Sequence, residues 1–168
     1  DETHGIISNH LATGVAALFR WAKITNDAAA ESRGKIVLER ILSHQSEEGW
    51  YREYEGADPG YQSLCTYYLA DVHEQRPDLG LLPSLQRSVE FLWHFAHPDG
   101  SFGGNYGSRN TRFYYPAGIA SLAAAVPKAA ALDSFMRESV ANHTVVTLDT
   151  MDESALVQLF QRSQSTRQ

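Results

Sequence analysis

The chain has 168 residues, 43% of them apolar, and a formal net charge of −6. That length suffices for one domain with a real core. The acidic balance leaves no basic field for nucleic acid, no apolar run approaches the roughly 20 residues of a membrane span, and the single cysteine, Cys65, excludes both an internal disulfide and a cysteine-based zinc cluster.

Helical periodicity dominates from the start. "HLATGVAALFRWAKI" sets Leu11, Val15, Leu18 and Ala22 on one stripe, with Ser8 or Asn9 suited to cap the helix. "ESRGKIVLERILSHQ" groups Val37, Leu38, Ile41 and Leu42. A third stripe runs through Tyr61, Leu64, Cys65, Tyr68, Leu69 and Val72, and a fourth through Leu82, Leu85, Val89, Leu92 and Ala96, with Pro83 tolerated in its first turn. Two further helices are predicted at about 116–125 and 128–142, separated by Pro127, and Asp152 is placed to cap a last one through Leu156, Leu159 and Phe160. No strand series is evident. The class expected is all-α.

Two loops interrupt this pattern. "QSEEGWYREYEGADPGYQS" spans residues 45–63, and "HPDGSFGGNYGSRNTRFYYPAG" spans residues 97–118 with five glycines and five aromatic rings. Gly49-Trp50-Tyr51 and Gly100-Ser101-Phe102 lie 51 positions apart, and each follows a helix and precedes another. A period near 50 residues fits a two-helix unit that buries its apolar face only by stacking on its neighbours, with its loops recurring on one side of the stack.

The loops also hold chemistry-bearing side chains. Arg109 offers a planar fork for a carboxylate or sulfate, beside Asn110. Trp50, Tyr106, Tyr114 and Tyr115 present flat faces that stack on sugars. The competing explanation for Arg109 is an internal pair with Asp99 or Glu53. Glu53, Glu55 and Asp58 read as a solvated acidic loop rather than a glycosidase pair. The histidines near helix ends, His44, His94 and His97, fit the helix dipole, and His4 and His73 are expected at the surface. No metal-ligand spacing such as H-E-x-x-H occurs, so no cofactor or catalytic metal is expected.

"SNH" at the head of a helix, followed by a helix pair, "EEGWYREYEGADPGYQS" and "PDGSFGGNYGSRNT", resembles the α/α-toroid domain of heparinase II/III-like and alginate-lyase-like proteins over about residues 5–125. The resemblance implies cleavage of an acidic polysaccharide or oligosaccharide by β-elimination. It implies Asn9 as the group that neutralises the uronate carboxylate, His10 as the base, and Tyr61 or Tyr67 as the acid; the loop residues Arg109, Asn110, Trp50, Tyr106 and Tyr114, read above from their own chemistry, would then surround the substrate. Each has a plainer alternative: Asn9 caps a helix, Tyr61 packs in the core, and Tyr67 lies with Ser63 and Ala70 on a small, polar face that would line a cavity. Such enzymes usually carry a β-sandwich after the toroid, for which this chain is too short. The chain, which opens on "DETHG", therefore reads as a single domain, a partial toroid of about six or seven helices from a longer protein, with self-association or a missing C-terminal β domain to cover its open faces.

"QSEEGW" and "PDGSFGG" are also similar, more weakly, to loops of terpenoid cyclases and protein prenyltransferases, which would imply an isoprenoid substrate. The Asp-rich motif of the former and the zinc ligands of the latter are missing. A non-catalytic helical repeat module that binds a partner is the third reading.

Overall fold

A computed structural model describes residues 5–103 and 114–145. In chain order they form β1 (Ile6–Ile7), α1 (Ser8–Thr25), α2 (Ala28–Ser43), β2 (Glu53–Tyr54), α3 (Pro59–Gln75), a 3-10 turn at Pro77–Leu79, α4 (Leu82–Trp93), α5 (Pro116–Leu122) and α6 (Pro127–Ala141). Among the described residues the fold is all-α apart from one two-residue ladder, in which Ile6 pairs with Tyr54 and Ile7 with Glu53, antiparallel. The helix expected after Asp152 lies outside the described residues.

Local chemistry explains the boundaries. Asn26, at φ 56°, ends α1 in the left-handed conformation. The Asp27 side chain then accepts from the Ala29 and Ala30 N–H groups and opens α2. Asp58 caps α3 by accepting from Tyr61 N–H, and Pro59 occupies a first-turn position that needs no donor. Prolines likewise sit in the first turns of α4, α5 and α6.

The helices pack as pairs in a row. α1 lies on α2, α3 on α4 and α5 on α6, while α1 also packs on α3, and α3 on α5. α3 is therefore covered on two sides. That is why it buries Gln62, Ser63, Thr66 and Ala70 as well as Cys65, Leu69 and Val72, more than the single apolar stripe read from the sequence. The face carrying Ser63 and Tyr67 receives α5. Ser63 Oγ accepts from Tyr115 N–H at 3.0 Å. A Cβ on Gly118 would stand 2.5 Å from Tyr67 Cα, so only glycine allows this approach.

The 51-residue repeat is present in the backbone. Gln45 bridges Tyr51, and Ala96 bridges Phe102, both antiparallel. Ser46 N–H donates to Trp50 O, and His97 N–H to Ser101 O, each at 2.9 Å. Gly49 and Gly100 take φ +98° and +83° in matching turns. Both turns then drive an aromatic ring, Tyr51 or Phe102, fully into the core. The core runs along the row through Val15, Phe19, Ile41, Leu69, Leu85, Leu92, Ile119, Leu132 and Met136.

A buried polar network joins the first loop to α3 and α4. Gln62 Oε1 accepts from Tyr51 N–H, and its Nε2 donates to Gly49 O and Ser88 Oγ. The Tyr51 hydroxyl bonds Ser84, which donates to Gln45. Each bond satisfies a group that would otherwise cost free energy on burial.

Candidate functional site

The N-termini of α1, α3 and α5 meet at one end of the row, together with the loop that contains β2. Ser8 fastens that loop by donating from N–H and Oγ to Arg52 O, at 3.1 and 2.6 Å. The side-chain cap expected from Ser8 or Asn9 is absent: α1 begins at Ser8 with Ile7 before it, and Asn9 lies within the first turn. The cap comes from across the ladder. Glu53 Oε1 accepts the Asn9 backbone N–H at 2.8 Å, and Oε2 accepts Asn9 Nδ2 at 2.8 Å. An acid at a helix N-terminus gains from the dipole as well as from the bonds.

Glu53 and Asp58 are 5% and 4% exposed, which corrects the solvated-loop reading. Only Tyr54, Glu55 and Ala57 of that segment face water. The correction follows from their partners, since both carboxylates cap helices. Burial pushes the Glu53 carboxyl up to about 7, the Asn9 bonds oppose this, and the nearby Asp58 charge adds to it. Burial likewise pushes the Cys65 thiol up, with Glu53 contributing. Nothing in the local sequence announces Glu53, because its partner is 44 residues away; Asp58, in contrast, finds its partner three residues on, in the Tyr61 N–H.

The other candidates divide. His10 is exposed beside buried Asn9. Tyr61 is half-buried at the start of α3. Tyr67 lies six residues on, about 9 Å farther along the helix axis. It is half-buried, its ring 4.9 Å from Tyr68. Burial raises its phenol, and the Asp71 charge adds to this while Arg20 opposes it. Arg20 and Asp71 are themselves paired at 2.7 Å. Trp50 is half-buried and donates from Nε1 to Glu48 at 3.0 Å. Tyr114 is 5% exposed with its ring 4.8 Å from Phe102, a core position rather than an open stacking face. Tyr106, Arg109 and Asn110 lie outside the described residues. Of the carboxylates suggested as partners for Arg109, Glu53 is held by Asn9 and Asp99 bonds Ser101. His73, expected at the surface, is half-buried on α3.

The structure thus brings Asn9, His10, Glu53 and Asp58 to one end, with Tyr61 on the turn that Asp58 caps. Chemically this offers an accessible imidazole, an amide and a carboxyl that titrates near neutrality. A cavity of about 410 Å³ lies elsewhere, among Phe19, Lys23, Asn26, Glu31, Gln75 and Arg76, where α1 and α3 end. Its Arg76 is held by Glu31 and Asp78 at 3.0 and 2.7 Å. Among the described residues no group of three or more His, Cys, Asp or Glu could hold a metal ion, and no helix is long and apolar enough to cross a membrane. No protein-family model, no curated protein and no solved structure matches the chain.

Proposed function

We propose that the end of the row carrying the glycine-aromatic loops is a polysaccharide-handling surface, and that the chain is part of an α/α toroid acting on uronic-acid-containing chains by β-elimination. The observation that carries this reading is the Asn9–Glu53 contact, which fixes the Asn-His dipeptide against the first loop and leaves His10 open to solvent at that same end. Elimination needs three things: a neutralised uronate carboxylate, a base for the adjacent C–H proton, and an acid for the leaving oxygen. In this reading Asn9 serves the first, His10 the second and Tyr61 the third. Tyr61 is preferred over Tyr67 because its turn is capped by the same loop that holds Asn9. The glycan would be met by Trp50 and by the second loop with Tyr106, Arg109 and Asn110. Asn9 would have to exchange Glu53 for the substrate carboxylate, and protonation of Glu53 near neutral pH would loosen that bond.

The test is incubation of the protein with alginate, heparan sulfate and related uronates, following ultraviolet absorbance of the new C=C bond. Activity that disappears in His10→Ala supports the reading, and silence across the panel removes it. The non-catalytic repeat module is favoured by a different fact: Asn9 and Glu53 spend polar atoms on each other, as do Tyr51 and Gln62, and Asp58 spends its carboxylate on the Tyr61 N–H. Retention of an acidic oligosaccharide without turnover would select it. The isoprenoid reading gains nothing from the 410 Å³ cavity, whose lining includes Lys23, Glu31 and Arg76.

A further inference from the structure

The second glycine turn and α6 enclose a groove. A cleft of about 150 Å³ is lined by Trp93, Ala96, His97, Pro98, Leu132 and Phe135. A second cleft, of about 170 Å³, shares Pro98 and Phe135 with it and runs on to Glu138, Asn142 and Thr144. On α6 the lining follows a single stripe: at 100° per residue, Lys128, Leu132, Phe135, Ser139 and Asn142 share one side. One end of the groove is apolar, with Trp93 37% exposed and Lys128 5.6 Å over its ring. The other end is acidic, carrying Asp99 and Glu138.

The described residues end at the mouth of this groove. After α6 the chain turns through His143, at φ 57°, and Thr144 N–H donates to Ser139 O at 2.9 Å. Thr144 Oγ1 lies 3.1 Å from Gly100 O and 3.0 Å from Ser139 O, which fastens the end of α6 to the second loop. A Cβ on Gly100 would stand 2.3 Å from that hydroxyl. Val145 then packs against the core. The sequence continues as Val-Thr-Leu-Asp-Thr-Met and then reaches Asp152, Leu156, Leu159 and Phe160, which are helically spaced. Ser163 extends that stripe, while Gln158, Gln161 and Arg162 fall on the other side.

We infer that residues 152–163 occupy this groove as an amphipathic helix parallel to α6, with Leu156, Leu159 and Phe160 against Trp93, Leu132 and Phe135. The reach suffices. Residues 146–151, extended, carry Asp152 up to about 23 Å from Val145, and the groove from Ser139 back to Lys128 is about 16 Å long. The β-branched Val146, Thr147 and Thr150 suit an extended path. Charge selects the direction. Parallel to α6, Arg162 falls beside Asp99 and Glu138, whereas the reverse course would set Asp152 and Glu153 against those two acids. Tethering selects the occupant. A segment joined to the groove by so short a link meets it at an effective concentration on the order of millimolar, above that of a second copy.

Paired cysteines in the full chain test this, since the native Cys65 is buried. Under mild oxidation Asn142→Cys/Ser163→Cys should form an intramolecular disulfide and Asn142→Cys/Glu153→Cys should not, because only the first pair is brought within bonding distance. Hydrogen exchange gives a second readout. Phe160→Glu should speed exchange of the α6 amides about tenfold or more and leave those of α1 and α2 unchanged. Should that variant loosen the whole chain, the cysteine pairs still decide, because they leave the apolar side chains in place. Equal cross-linking of both pairs, cross-linking of the Glu153 pair alone, or none in either would overturn the inference. So would α6 protection indifferent to Phe160→Glu, the result expected if a second copy or residues 104–113 filled the groove instead.

Discussion

Glu53 grips Asn9 twice, with one carboxylate oxygen on the backbone N–H and the other on the side-chain amide, both at 2.8 Å. These bonds favour the charged form, yet burial and Asp58 win and the carboxyl rises from 4.5 to about 7. Between those values the folded chain holds a proton that the unfolded chain has released. Stability from this group is therefore complete below about pH 4.5 and falls as pH climbs toward 7. The loss is on the order of 3 kcal/mol. Glu53→Gln removes the titration. In urea denaturation at a series of pH values, the variant should lack the decline that the wild type shows in this window. Parallel profiles would mean that Glu53 ionises as freely folded as unfolded.

Asn9 and His10 are adjacent but should respond oppositely to truncation. Asn9→Ala strips a donor from a buried carboxylate and should cost about 2 kcal/mol or more. His10→Ala removes an exposed side chain and should change stability by less than about 0.5 kcal/mol. Thermal denaturation of both, beside the uronate assay, separates a structural residue from a chemical one. A large stability loss in His10→Ala would make any accompanying loss of activity uninformative about catalysis.

Much of the helical architecture was legible because it is written locally. Apolar positions at helical spacing and the first-turn Pro83 act within a few residues of where they stand. The 51-residue echo between Gly49 and Gly100 predicted matching turns, and the backbone shows them. What was not legible depends on partners distant in sequence. Glu53 reads as a solvated acid until Asn9 is seen across the ladder. The contact of Ser63 with Tyr115, and of Tyr67 with Gly118, joins residues about 50 positions apart and is equally silent in the local pattern. The same holds for Tyr114, which reads as a stacking ring from its loop and proves to be packed on Phe102.

The matching aromatics, Tyr51 and Phe102, differ by a hydroxyl that the structure uses. Tyr51 bonds Ser84 at 2.8 Å inside the core. Tyr51→Phe should therefore cost about 1–1.5 kcal/mol, a hydrogen bond's net value, softened because Ser84 keeps Gln45. Phe102→Tyr, measured alongside by urea denaturation, introduces a hydroxyl among apolar neighbours and should cost more unless a partner is found. A silent Tyr51→Phe would show that the network around Gln45 closes without it.

Glycine substitutions test the stacking of the row most directly. An alanine at Gly49 would put its Cβ 2.1 Å from Arg87 O, and the residue would have to keep φ near +98°. Neither demand is met cheaply: the conformation costs an L-residue about 1–2 kcal/mol, and the clash is with α4 backbone, which cannot swing aside. Gly118→Ala meets the α3 backbone at 2.5 Å and should push α5 away from Tyr67. Gly56 is the control, sitting in the same loop as Gly49 with nothing within 4 Å of its Cβ position and no positive φ. Losses of at least about 3 kcal/mol are expected for Gly49→Ala and Gly118→Ala, and almost none for Gly56→Ala. Equal, small losses at all three would mean that the loop does not rest on α4, nor α5 on α3, and the row of paired helices would fail with them.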